Sequence, residues 1–309
     1  MYVQTIEGAL AARGYTPVLC STTPAVLENE YIDVLLERGV DGLIFICGRH
    51  ANTEVDHGRY HDLRAMGIPL VCINGWLPDL DAPFLSVDDV DVTRMAVDHL
   101  IDLGHVRIGA VMGPSRYSTT RRKIAGYELG TRDLAQMPGT ELVVNSVFSG
   151  EGGNAAMQVL LDRDVTAVVC GSDLMALGAI RAVRGHGLEV PDDVSVIGYD
   201  DSPMLSFTDP PLTTVQQDVS GISRQAVEAL MDEMSGGQQP RHELLFSAQL
   251  VVRGSTGPCH VRPTRPRDQD CGSAVQGLVS PLPSGVVDPF GPGNGVSSAG
   301  AASRSALLT

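Results

Sequence analysis

Four polar clusters close apolar runs in this 309-residue sequence. They are Tyr199-Asp200-Asp201, Gly171-Ser172-Asp173, Phe148-Ser149-Gly150, and the stretch Ser115–Lys123 with Thr119, Arg121, Arg122 and Lys123. Carboxylates, hydroxyls, cations and a ring gathered at one mouth suit a polyhydroxylated or otherwise polar small molecule. A carboxylate accepts two hydroxyl hydrogens, a cation fixes an oxygen, and a ring packs on the apolar face of a sugar. Catalysis requires more. No G-x-S-x-G elbow, G-x-x-x-x-G-K-[ST] loop or G-x-G-x-x-G fingerprint occurs. His57 and His61 stand four apart without the glutamate of H-E-x-x-H, and read as an exposed face. His99 and His105 flank a helix end, where imidazole complements the dipole or bonds free carbonyls. Nothing separates the pKa of Asp200 from that of Asp201, so an acid–base pair is not expected. The sequence predicts no enzyme, no cofactor and no metal site.

These clusters need strand ends to carry them. From Tyr2 to about Thr214, apolar runs alternate with amphipathic segments at a spacing of roughly 25 to 30 residues, the rhythm of strand and helix. Strands are expected at Pro17–Cys20, Gly42–Cys47, Pro69–Ile73, Arg107–Met112, Leu142–Val147, Ala167–Cys170 and Val194–Gly198, with a short one near Trp76–Val87. Helical stripes lie in Ala25–Arg38, Thr93–Leu103 and Asp173–His186, the last stopped by Gly187. A helix Ser220–Met234 and strands Leu244–Phe246 and Gln249–Val252 follow. Strands buried on both faces and joined by helices form parallel sheets, so the class is α/β. Such sheets collect ligands at the carboxyl ends of their strands. Val3–Arg13 reads as a helix with no strand before it. Met1 is therefore read as an internal start or an artificial boundary; a fold that opens on a helix is the competing reading.

Charge and composition set limits on function. The net charge is −15 and 43% of residues are hydrophobic, enough for a real core but a surface that repels phosphate backbones. No run of 18 apolar residues and no export signal occurs, so membrane insertion is not expected. From Pro258 to Thr309 there are four Arg and three Asp, which leaves −16 on the first 257 residues. That stretch holds seven each of Gly, Pro and Ser and one aromatic, Phe290, so a disordered tail is expected. An accessory strand near Ala274–Ser280 is the alternative. Cys20, Cys47, Cys72 and Cys170 lie in or beside apolar runs and read as small buried hydrophobes. Cys259 and Cys271 carry no evident chemistry, and reduced thiols in a cytoplasm are the expected setting.

Three long segments carry a family resemblance. They are Thr166–Ile180, Gly187–Asp201 with its Val-Pro-Asp-Asp-Val-Ser-Val-Ile-Gly-Tyr-Asp-Asp, and Asp209-Pro-Pro-Leu-Thr-Thr-Val-Gln-Gln-Asp218. With Val40–Ile44, His99–His105, Ala125-Gly-Tyr127 and Leu250–Thr256, they resemble the effector-binding core of lactose/galactose repressor (LacI/GalR) regulators over about Tyr2 to Thr256. The resemblance implies a type I periplasmic-binding-protein-like fold of two lobes, each a mostly parallel sheet flanked by helices, crossed three times by the chain. One lobe is expected at 1–103 plus 219–246 and the other at 104–218 plus 247–257, with the first strand missing. A carbohydrate or similar effector between the lobes would bias their closure and thereby a homodimer's grip on operator DNA.

Matched residue by residue, the resemblance implies that Asp200 is the main hydroxyl-binding carboxylate. Phe148 matches an aromatic that packs on the ligand, or is an ordinary strand-end core residue. Ser172 and Asp173 match a strand-end pair, with Ser172 the contact and Asp173 the cap of the next helix. Gln217 matches a polar residue of a crossover strand, and Thr119 a hydroxyl contact. Lys123 stands where the family usually shows Arg; Lys cannot grip bidentately, and Arg121 is expected to compensate. Asp91 is a candidate from the other lobe, or an N-cap of the Thr93 helix. Family members begin with a basic helix-turn-helix headpiece that docks in the major groove. These residues lack it, so operator contact is expected only through a headpiece missing from this chain. A solute-binding protein for carbohydrate uptake is the alternative function.

Overall fold

The computed structural model describes residues 1–21, 27–134, 139–237, 242–260 and 305–308. The chain opens with α1 (Tyr2–Ala11), β1 (Thr16–Leu19), α2 (Glu28–Glu37), β2 (Gly42–Ile46), α3 (Gly58–Ala65), β3 (Leu70–Ile73) and β4 (Phe84–Val87). It continues with α4 (Asp89–Asp102), β5 (Ile108–Met112), α5 (Ser118–Thr131), β6 (Val143–Asn145), α6 (Gly150–Leu161), β7 (Ala167–Cys170), α7 (Asp173–Gly185), β8 (Ser195–Tyr199) and β9 (Thr213–Gln217). Then come α8 (Val219–Met234), β10 (Glu243–Phe246), β11 (Ala248–Val251) and, far downstream, β12 (Ser305–Leu308).

Among the described residues, the strands form two six-stranded sheets. The first runs β1-β12-β2-β3-β4-β10 and is parallel throughout. The second runs β11-β9-β8-β7-β5-β6 and is parallel except at its β11 edge. Helices cover both faces of each. In the first sheet, α1 and α8 bury Ile6, Leu10, Ile222 and Leu230 on one side, while α2 and α3 bury Ile32, Leu35 and Leu63 on the other. In the second, α6 and α7 bury Met157, Leu160, Met175 and Ala179 on one face, and α4 with α5 bury Val97, Leu100 and Tyr127 on the other. Two-sided cover explains the uninterrupted apolar strands: all four residues of β7 and all five of β5 are buried. The class is α/β, two mostly parallel sheets flanked by helices, as the alternation of apolar runs and amphipathic segments predicts.

The expected first crossing at residue 103 moves. Ala96, Val97 and Leu100 of α4 pack with Ile108, Ala110 and Ile197 of the second sheet, so the chain leaves the first sheet before α4. It returns between β9 and α8 and leaves again between β10 and β11. α4 and α5 approach closely because α5 carries Gly126, where a β-carbon would overlap the Val90 carbonyl oxygen.

The expectation of an incomplete first sheet with a wholly disordered tail is corrected at four residues. Ser305–Leu308 form β12, which lies between β1 and β2 and pairs with both. Backbone groups facing each other across that slot are met by the inserted strand. Residues 261–304, with the alternative strand near Ala274–Ser280 and Cys271, lie outside the described residues, as do Ala25 and Val26 of the second expected helix. Pro258–His260 run along the C-terminal end of α4, where the Cys259 N–H donates to the Leu103 carbonyl at 2.8 Å.

Candidate functional site

The carboxyl ends of β2, β3, β8 and β9 bring one polar cluster together. β8 ends at Tyr199, and Asp200 follows with φ 120°. Cys47 after β2 and Asn74 after β3 also hold positive φ, 52° and 58°, as does Asp201 at 51°. Four of the five non-glycine residues with positive φ among the described residues therefore sit at these strand ends. Such backbone conformations are unfavourable for side-chain-bearing residues and concentrate at functional sites.

Asp200 is the centre of the cluster. Its Oδ1 accepts from Gln217 Nε2 at 2.6 Å, and Gln217 Oε1 accepts from the Tyr2 hydroxyl at 2.9 Å. Asp200 is solvent-exposed as a residue, while the surrounding strand ends crowd its carboxyl. Burial pushes its pKa up from 3.8 to about 7; Lys123 pulls the other way, and Asp173 adds to the rise. Tyr2 is likewise shifted upward by burial, with further pushes from Cys47 and Asp200.

Lys123 is placed at this cluster in an unexpected role. Its Nζ bonds Asp89 Oδ1 at 2.6 Å and lies 3.9 Å from the centroid of the Tyr199 ring. The Tyr199 hydroxyl donates to the same Asp89 oxygen at 2.7 Å. Lys123 and Asp89 side chains are 10% and 3% exposed, so this cation is committed to a buried pair rather than open to a ligand. Its neighbours point elsewhere, since successive helical residues diverge by about 100°. Arg122 forms a two-pronged pair with Glu243 of β10 at 2.7 and 2.6 Å, joining α5 to the first sheet. Arg121 is exposed; its Nε donates to the Ser115 carbonyl at 2.7 Å, and a guanidinium nitrogen lies 4.0 Å from Glu54. The three cations are thus not a single oxygen-gripping group.

In the strand-end pair after β7 it is Ser172, not Asp173, that caps the next helix, accepting from the Met175 N–H at 3.3 Å. Asp173 is buried and accepts from the Ser202 N–H at 2.8 Å and the Thr214 hydroxyl at 2.6 Å, fastening the segment after β8 to β9. Burial raises its pKa against those hydrogen bonds. Asp91 caps nothing: Asp88 is the N-cap of α4, and Asp91 pairs with Arg94 at 2.7 Å on an exposed face. Thr119 lies half-buried in the first turn of α5. Phe148 is 43% exposed, with its ring over Gly113 and 6.3 Å from that of Tyr117. It is a rim residue, not a core one. Asp201 is tied to Arg253 at 2.6 Å, which separates its role from that of Asp200.

The rim also carries a clasp between the lobes. The Thr53 N–H and hydroxyl both donate to the Arg116 carbonyl, at 2.8 and 2.9 Å, and Asn52 pairs with Tyr117 in an antiparallel bridge. This joins the loop after β2 to the loop after β5. Residues that the sequence did not single out as site members complete the site: Tyr2, Cys47, Asn74 and Asp89. Cys47 was expected to be a buried hydrophobe, yet it is exposed at the strand end, 3.6 Å from Asn74 Nδ2. The signal available was position, one residue beyond an apolar strand.

His99 and His105 serve the fold. His105 is 2% exposed and bonds Thr166, Ser195 and the Gly257 carbonyl at 3.0, 3.0 and 3.1 Å, while His99 bonds the Thr256 hydroxyl. They anchor the end of the second lobe instead of capping α4. Among the described residues, no group of three or more His, Cys, Asp or Glu has metal-site geometry, and no helix is long and apolar enough to cross a membrane.

Comparison with known proteins agrees with this geometry. Residues 97–256 match the family model of a periplasmic binding protein-like domain. The HTH-type transcriptional regulator MalR of Streptomyces coelicolor is 48% identical over 258 residues, 82% of this chain and 75% of that one. The solved complex of the transcriptional regulator CelR with cellobiose superposes with a TM-score of 0.73 at 30% identity, covering 82% of this chain and 77% of that one. A LacI family transcriptional regulator from Enterococcus faecium, solved with bound ribose, also gives 0.73 at 25% identity, covering 83% and 93%.

Proposed function

Since the chain belongs to the LacI family of transcriptional regulators, we propose that a carbohydrate is the effector it senses, seated between the lobes at Asp200. The supporting observation is Asp200, solvent-exposed as a residue, with its carboxyl oriented by Gln217 and Tyr2. Sugar hydroxyls that donate to it stabilise the ionised form, and Phe148 on the rim offers an apolar face. Thr119 and Ser172 are assigned hydroxyl contacts; Lys123, Asp173 and Gln217 are positioning residues; Arg121 and Asp91 stay outside the contact set. The chemistry is binding without turnover. Effector closure then changes how a repressor dimer holds operator DNA, an allosteric coupling between two sites. The net charge of −15 disfavours contact between the surface of these 309 residues at large and a phosphate backbone. Such a regulator works in the cytoplasm. Carbohydrate uptake, the other reading, finds no support among relatives that are themselves regulators.

A thermal-shift screen with neutral mono- and disaccharides, cellobiose and ribose among them, tests this. At about 100-fold excess over Kd, a true effector raises Tm by roughly 5 °C or more. A panel in which no sugar shifts Tm contradicts a carbohydrate effector.

The dimer has its own candidate surface. Met204 and Phe207, on the turn Pro203–Phe207, are 78% and 88% exposed, the two most exposed large apolar side chains among the described residues. A second copy is assigned to this patch. Phe207→Glu is expected to shift the protein toward monomer in light scattering; an unchanged mass assigns the patch elsewhere.

A further inference from the structure

β1 depends on the far end of the chain. In the first sheet its one neighbour is β12, in the register Thr16↔Ser305, Pro17↔Ala306, Val18↔Leu307 and Leu19↔Leu308. On its other edge β12 pairs with β2, Ala306↔Gly42 through Leu308↔Ile44. Without Ser305–Leu308, β1 has no ladder among the described residues, and β2 keeps only β3. The unpaired N–H and C=O groups of Thr16–Leu19 would then depend on water.

Side-chain burial holds β1 only in part: Val18 packs on the core of the first sheet, and none of the four residues is fully buried. Its attachment otherwise runs through α1, which buries Ile6 and Leu10 and receives the Tyr15 N–H at the Leu10 carbonyl. α1 begins with Tyr2, whose hydroxyl reaches Gln217 and through it Asp200. The hairpin of α1 and β1 is therefore held by the packing of α1 on α8, by the Tyr2 bond to Gln217 and by β12, and β12 alone pairs with the β1 backbone among the described residues.

We propose that Ser305–Leu308 is a donor strand, supplied in cis, that closes the slot between β1 and β2 and holds the α1–β1 hairpin on the first sheet. The 44 residues from Val261 to Arg304 reach more than about 100 Å when extended, so the slot is within range of the same chain's own terminus. Parallel pairing on both edges gives the strand two sets of backbone hydrogen bonds, which a surface-lying segment would lack. Holding Tyr2 against Gln217 is the consequence for the cleft.

Hydrogen exchange on the full chain and on the Ala306→Pro/Leu307→Pro variant tests this, because proline cannot donate to either ladder. Amides of Tyr2–Leu19 are expected to exchange about tenfold faster or more in the variant, with β3, β4 and the second sheet unchanged. Equal protection of Thr16–Leu19 in both proteins overturns the proposal. Where the variant unfolds outright, cross-linking of Thr16→Cys with Ser305→Cys in a background with Cys20, Cys47, Cys259 and Cys271 replaced by Ser decides. A short bifunctional maleimide is expected to link them within one monomer. No link, or a link only between two copies, overturns the assignment in cis.

Discussion

Replacing Lys123 with methionine is expected to destabilise the chain by about 3 kcal/mol, read from the urea midpoint. The reason is the charge left behind. Asp89 is 2% exposed, and its ion pair with Lys123 and its bond from Tyr199 balance the loss of water around it. Methionine fills the space but leaves the carboxylate with one partner. Lys123→Met/Asp89→Asn removes the orphaned charge while the Asn carbonyl still accepts from Tyr199, so it should recover most of the loss. A neutral single variant, or a double variant no better than the single, would show that this pair does not secure the junction of α4, α5 and β8.

The second large effect concerns pH. Asp200 has its pKa pushed from 3.8 to about 7 in the folded chain, mainly by burial. Between those values the folded state keeps a proton that the unfolded state has released, so stability falls as pH rises through this window and levels off above about 7. Asp200→Asn removes that slope. The variant should melt several degrees above the wild type at pH 8 and beside it near pH 4, with solvent access trimming the difference. Parallel melting curves across the range would mean that the carboxyl titrates normally. A gain in stability on removal of a side chain marks a group kept for binding, in line with the positive φ at Asp200, Cys47 and Asn74.

Much of the fold was readable because burial on two faces leaves a plain mark. Ala167–Cys170 is a strand with the bounds the sequence predicts, and the stripe Met175, Ala176, Ala179, Ile180, Val183 gives α7. α5 left no such mark. It packs on α4 through Gly126 and Gly130, and its buried face includes Lys123 and Thr120, so no apolar stripe shows. The stretch to Lys123 therefore reads as a cluster of cations, and no stripe marks the helix that splays them apart. Asp200 was legible from its place after an apolar strand. Asp89 was not, because its partners Lys123 and Tyr199 lie 34 and 110 residues away. The same holds for β12, whose composition resembles the tail around it and whose strand character exists only through its pairing with β1 and β2.

The central claim is that Asp200 accepts the hydroxyls of a sugar in the cleft. Calorimetric titration of the wild type and of Asp200→Ala, at pH 8 and with the sugar giving the largest shift in the screen, addresses it directly. Loss of two charge-assisted hydrogen bonds is expected to weaken Kd by about 100-fold or more while the variant remains folded. An equal Kd for the two proteins would contradict the site.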